Sequence, residues 1–406
     1  MFIHPRKVKV STRTSWRLLI AENLITTRLV TPIMVAFCLS IGLNLSEVGV
    51  ADVASSVAYL ALNIPIGWVA DRLSRKICNL LGNIIYGISM VAFGLSTSPS
   101  GVIAAYVMMA LGISCTHGAD VALLEAHCDK LGINYEDVSK RLSQAAYCTH
   151  ILAFTCCAVL VAHFGMKTTI LIASVPFFIG AILSCFIQEI GTLKKAASSE
   201  FKEMVRVIWY ASVKNRQLSW LLIAYTTGVG MTSAITILVG PMLLAVGGQE
   251  SHIALVYTVL VIMALVGGEV SRRAFKTKGL FKPFVLACTA ALVPMSVLSL
   301  HLSVLTAGLF LIVHMVRGWM STTLPPLIQK VAPQEVKATI SSLAGTLEQG
   351  AFMIAVVAVA LASDYGISWG FAINVVLFAP FAVIAAWGLR RTASVKEQED
   401  YATQRV

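Results

Sequence analysis

The chain has 406 residues, 57% of them hydrophobic and only 13% charged, with a mean hydropathy of +0.80; soluble domains carry about 25% charged residues, so composition excludes a soluble globular protein. The formal charge of +11 at pH 7 argues for a nucleic-acid partner only where basic side chains gather into a patch. Here they fall in alternate breaks between apolar runs, which argues against nucleic acid and makes lipid the solvent.

From the N-terminus, the apolar runs predict membrane spans at 18–41, 48–70, 76–96, 101–125, 141–163 and 168–187. After a polar gap, six more follow at 218–245, 252–270, 281–303, 304–327, 338–361 and 369–390, each near the roughly 20 residues that a membrane helix needs. The first run follows Arg6, Lys7, Lys9, Arg13 and Arg17 as a signal peptide would. It is nevertheless about 24 residues long, contains Glu22 and Arg28 and lacks a small-x-small cleavage site, so it reads as a retained helix. Breaks at 42–47, 97–100 and 247–251 are short and make consecutive helices antiparallel neighbours.

Of the 31 Lys and Arg, 28 fall on the N-terminal side of this topology, Lys167 falls on the other, and Arg28 and Arg317 lie within spans. That is the positive-inside bias, and it predicts cytoplasmic termini for a multi-pass protein of a bacterial-type inner (plasma) membrane. The expected fold is an all-α integral membrane protein with 12 transmembrane helices in two pseudo-symmetric six-helix bundles, residues 1–187 and 218–406. The linker, 188–217, places Phe201, Met204, Val205, Ile208 and Trp209 on one helical face, the pattern of an amphipathic helix on the cytoplasmic membrane surface; a plain tether is the other reading. The nine cysteines sit mostly in apolar runs without Cys-x-x-Cys spacing and read as small hydrophobes.

After the second span the sequence reads Gly67, Trp68, Val69, Ala70, Asp71, Arg72, Leu73, Ser74, Arg75, Lys76. Gly67 permits close helix packing, Asp71 suits the positive end of a facing helix such as the one beginning near Ala338, and Arg72, Arg75 and Lys76 suit an anionic leaflet. This loop resembles the signature of the major facilitator superfamily between its helices 2 and 3, departing at Ser74, where that pattern usually has Gly. A decayed copy, Gly267, Gly268, Glu269, Val270, Ser271, Arg272, Arg273, occupies the matching loop of the second half, with Ser271 in place of the acid. Gly118 to Leu124 and Lys337 to Ser341 resemble two stretches of one branch of the superfamily. The resemblance implies the major facilitator fold, a solute site near the bilayer midplane between the halves, and a conformational latch at Gly67, Asp71, Arg72, Arg75 and Lys76. The Gly-Pro-rich fifth helix of drug/proton antiporters is missing.

Ionisable residues inside spans are functional candidates, because each costs about 2.5–3.5 kcal/mol or more to insert at the bilayer centre. Arg28 stands about 12 Å of helix rise beyond an inner boundary near Ile20, while Glu22, next to that boundary, is expected to reach water. His117 and Asp120 share a face of helix 4. Asp120 is a candidate proton carrier, balanced between burial and the charge of Arg28; a fixed Arg28–Asp120 or Glu22–Arg28 pair is the structural alternative. In helix 10, His314, Arg317 and Ser321 face one way, and Glu348 in helix 11 is placed to neutralise Arg317. Helices 1, 4, 7 and 10 line the cavity in the family, so two arginines there would suit a carboxylate or another anion.

These residues predict a secondary transporter that moves a small organic solute, anionic or zwitterionic, by alternating access with proton coupling. It is expected to work as a monomer in lipid without a cofactor. No Gly-rich phosphate loop and no nucleophile constellation argues for an ATPase or another enzyme. A multidrug or siderophore-like exporter and a non-transporting membrane sensor are the alternatives.

Overall fold

Lipid reverses the usual rule of burial, because apolar side chains gain nothing by leaving it while backbone N–H and C=O groups must all be paired within the protein. A computed structural model describes residues 11–72, 74–190, 215–274, 280–332 and 337–403. Among these every regular element is a helix, and Leu152, Leu286, Ile354 and Val383 point outward while Glu22, Asn79, Asn83, Ser184, Thr232 and Asn374 are buried.

The chain divides into two compact units. The first comprises Met1–Leu43 with Ala54–Ala196, and the second Asn44–Val53 with Ala197–Val406, so that the first turns of α3 group with the second unit. Its elements are α1 (Thr12–Ile25), a 3₁₀ turn (Thr31–Ile33) leading into α2 (Met34–Ser40), α3 (Leu45–Arg72), α4 (Arg75–Leu95), α5 (Pro99–Leu131), α6 (Tyr135–Ile172) and α7 (Val175–Phe186). Within the first unit α4 packs on α5 and α7, and α1 packs on α5, α6 and α7. Gly165, at φ 74 and ψ 168, turns the chain inside α6; a residue with a Cβ pays a steric cost there that glycine avoids. The apolar stretch Asp137–Phe186 thereby accounts for two crossings.

The second unit runs through α8 (Arg216–Tyr225), a π turn (Thr226–Gly230), α9 (Met231–Ala234), a 3₁₀ turn (Ile235–Leu238) and α10 (Val239–Ala245), which together make one crossing. Then come α11 (Glu250–Ala274), α12 (Phe281–Leu300), α13 (Val304–Ala307), α14 (Phe310–Val331), α15 (Lys337–Ser363) and α16 (Ile367–Thr403). α11 lies against α14 with almost no room between the backbones: a Cβ on Gly318 would collide with the Ala264 carbonyl oxygen, and one on Gly267 with that of Met315. Small residues are what allow such an approach in lipid.

Ten helical stretches among the described residues are long and apolar enough to cross a membrane. With the turn at Gly165 and the interrupted first segment, this is consistent with the expected twelve crossings. Two spans differ from expectation. The first is not one helix over 18–41, because it begins at Thr12 and is broken between Ile25 and Met34. The seventh, expected as one helix over 218–245, changes its winding twice. Helices with such interruptions persist at membrane depth only where protein or a polar cavity satisfies the freed groups. The amphipathic reading of Phe201 to Trp209 lies outside the described residues.

Candidate functional site

The break in the first crossing has a local cause. Proline lacks an N–H, and its ring collides with the carbonyl four residues back; for Pro32 that carbonyl belongs to Arg28. The Arg28 carbonyl instead accepts from the Thr31 N–H at 3.4 Å and the Thr31 hydroxyl at 3.1 Å. Just upstream, the hydroxyls of Thr26 and Thr27 donate to the carbonyls of Glu22 (2.9 Å) and Leu24 (2.7 Å), a type of back-bonding that bends helices. Arg28 therefore sits outside any helix, with its side chain exposed.

One turn before the break, Glu22 is only 2% exposed. This overturns the expectation that it sits at the inner boundary in contact with bulk water: α1 starts six residues earlier than the span expected from hydropathy, and side chains of α4 and α7 close over it, leaving it in the wall of a cavity. Its Oε1 accepts from Asn79 Nδ2 at 2.7 Å, Asn83 Nδ2 at 2.5 Å and the Ser184 hydroxyl at 2.7 Å. Asn79 and Asn83 lie four apart on one face of α4, and each is at most 3% exposed. Glu22 Oε2 has no hydrogen-bond partner among the described residues.

Glu22, Arg28 and Asp120 line one cavity of about 160 Å³ together with Asn23, Thr26, Asn79, Asn83, Tyr86, Thr116, Ile113 and Phe177. The rings of Tyr86 and Phe177 stack at 4.2 Å. Asp120 is half-buried and accepts from the Val121 N–H at 2.7 Å. Neither Glu22 nor Asp120 forms an ion pair with Arg28. The guanidinium thus shares a cavity with two acids and is tied to neither, which leaves its donor fork available to a negatively charged guest. The side chain of His117, expected to face the same way as Asp120, lies outside the described residues.

The second unit carries its own polar group. Tyr225, at the last turn of α8 before the π turn, donates its hydroxyl to Glu348 at 2.7 Å. The Arg317 guanidinium is within electrostatic reach of Tyr225, Tyr257 and His314. His314 is buried against Phe310 at 4.9 Å, and the Ser321 hydroxyl is turned back onto the Gly318 carbonyl at 3.1 Å. Asp52 acts electrostatically on Tyr257, whose hydroxyl donates to the Thr236 carbonyl at 3.0 Å. Asp52 is an acid inside an apolar run, and that signal was available in the sequence.

In the signature loop Gly67 and the side chains of Asp71 and Arg72 lie outside what the structure describes. The following residues are fixed inside the first unit. Ser74, the departure from the pattern, is the N-cap of α4 and accepts from the Ile77 N–H at 3.1 Å. Glu189 accepts from the Ser74 hydroxyl at 2.5 Å and from the N–H groups of Arg75 (3.2 Å) and Lys76 (2.9 Å), a carboxylate on a helix N-terminus. Lys76 Nζ donates to the Cys185 carbonyl at 2.6 Å. In the decayed copy, Ser271 bonds Thr323 at 2.6 Å and is 2% exposed, serving helix packing inside the second unit.

Two compact helical units with interrupted leading helices, and a cavity lined by Glu22, Arg28 and Asp120, fit a polytopic solute transporter. The sequence matches the Major Facilitator Superfamily over residues 21–356, and the chain belongs to that family. Its fold is similar to that of the nucleoside transporter NupG, with a TM-score of 0.75 at 13% identity, covering 93% of this chain and 98% of that one. It is also similar to a bacterial homolog of the human lysosomal transporter Spinster in an inward-facing, occupied conformation, with a TM-score of 0.68 at 15% identity, covering 94% and 95%. No curated protein matches the sequence.

Proposed function

We propose that this transporter moves a small organic solute bearing a negative group, a carboxylate or a zwitterion, by alternating access, and that the movement is coupled to protons. The observation that supports this reading is the break at Arg28, which presents a guanidinium, exposed and tied to neither acid, to a cavity also lined by Glu22 and Asp120. An arginine fork holds a carboxylate through two parallel hydrogen bonds, and a carboxyl group on the same cavity supplies a site where proton and solute influence one another. Both termini are assigned to the cytoplasmic face of an inner membrane, on the distribution of Lys and Arg. Arg317, His314 and Glu348 in the second unit, and Gly67, Asp71, Arg72, Arg75 and Lys76 in the signature loop, are assigned to solute contact and to latching, respectively.

Reconstitution tests this. Proteoliposomes are given a panel of radiolabelled small carboxylates and amino acids, with a nucleoside as the uncharged control suggested by the name of one structural neighbour. Accumulation of a carboxylate or amino acid under an imposed pH gradient, lost in Arg28→Ala and in Asp120→Asn, is the expected result. Uptake of the nucleoside alone, or equilibration indifferent to the gradient, contradicts the proposal.

A further inference from the structure

The coordination of Glu22 is lopsided. Its Oε1 takes three donors, from Asn79, Asn83 and Ser184, while Oε2 has none. An ionised carboxylate spreads its charge over both oxygens, and a buried, unsolvated oxygen is costly for it. Three donors on Oε1 work the other way and stabilise the anion. A carboxyl group held between opposed terms of this kind changes state with small changes in its surroundings, unlike one fixed by a full set of partners.

Among the described residues the groups facing Glu22 come from four elements and the break. Across the cavity stand Asp120 from α5 and Arg28 from the break. α4 contributes Asn79, Asn83 and Tyr86, and α7 contributes Ser184 and Phe177. α6 reaches the break through Thr149, whose hydroxyl accepts from that of Thr27 at 3.2 Å. With both acids ionised, the cavity holds one negative charge in excess of Arg28; with one proton bound, it is neutral.

We propose that Glu22 is an exchangeable proton-binding site, taking a proton from a hydronium ion of the cavity onto Oε2, releasing a water molecule, and returning that proton to cavity water or to the Asp120 carboxylate. This rests on the proton-coupled reading above and moves the coupling proton from Asp120 to Glu22, with Asp120 as the neighbouring acceptor. Loading an anionic guest onto Arg28 adds a negative charge to the cavity, and a proton on Glu22 offsets it. Anion and proton then favour one another's binding, as reciprocal linkage requires.

The test needs no solute. Purified full-length protein in lipid nanodiscs is examined by infrared difference spectroscopy over a pH titration, in choline chloride and in sodium chloride, for the wild type, Glu22→Gln and Asp120→Asn. The expected result is a protonated-carboxyl band that shifts in deuterated water and disappears as pH rises. It persists in Asp120→Asn and is lost in Glu22→Gln. A band unchanged in Glu22→Gln, or one insensitive to both pH and deuterium, overturns the proposal. Saturable loss of the band with sodium alone also overturns it, in favour of a metal-cation site. Should Glu22→Gln not fold, Ser184→Ala, which withdraws one donor from Oε1, is expected to move the band's pH midpoint, and an unmoved midpoint counts against the assignment. The transport reading fails separately, when the band behaves as described but proteoliposomes ignore a pH gradient.

Discussion

Arg28 and Asn83 line the same cavity and are expected to answer mutation in opposite ways. Asn83 is buried and bonded to Glu22, so Asn83→Ala leaves a buried carboxyl short of a donor and is expected to lower stability by about 1–3 kcal/mol. Arg28 is exposed and makes no ion pair with either acid of the cavity, so Arg28→Ala is expected to change stability by less than about 0.5 kcal/mol while abolishing solute uptake. Thermal unfolding in detergent beside uptake in proteoliposomes checks both; equal destabilisation by the two variants would contradict this division of roles. At this scale the sequence was partly legible. Arg28, Asp120 and Asp52 all stand out as charges in apolar runs. The depth of Glu22 is not legible from hydropathy, because the apolar run starts near Ile20 whereas the helix begins at Thr12. The donors Asn79, Asn83 and Ser184 come from two other helices, and hydropathy says nothing about which helices will be neighbours.

Helix interruptions and close helix contacts govern the next scale. Pro32→Ala restores the missing N–H and relieves the clash at the Arg28 carbonyl, so the first crossing is expected to become more continuous. The expected outcome is unchanged or higher thermal stability with reduced uptake; unchanged uptake would show that the break does not serve the site. Gly318→Leu drives a side chain into the Ala264 carbonyl and is expected to cost at least about 1–3 kcal/mol. A Cβ on Gly345 meets nothing within 4 Å, so Gly345→Ala serves as the tolerated control, with folded yield in the membrane as the measurement. The spans themselves were legible because each needs a long apolar run, and the turn at Gly165 falls between the fifth and sixth expected spans. Breaks inside a run were not, because Pro32, Pro65, Pro241, Pro294 and Pro380 all lie in apolar surroundings and only some of them interrupt a helix.

For the whole molecule, the repeat, the loop signature and the composition together led to the superfamily, and the match over residues 21–356 agrees. Cysteines introduced at Lys7 and at Arg391 are expected to react with a membrane-impermeant thiol reagent only from the cytoplasmic side, in a background where the exposed Cys148, Cys156 and Cys185 are replaced by serine; labelling from the other side would invert the topology. What is carried was not legible, since a guanidinium fork selects a charge and a geometry, not a whole solute. The most direct test of the coupling is proton movement measured in proteoliposomes with a trapped pH-sensitive dye, using the carboxylate or amino acid selected by the uptake panel. Adding it outside wild-type vesicles is predicted to carry protons across with the solute, and to carry none in Glu22→Gln. Solute flux with no change in internal pH would contradict the account.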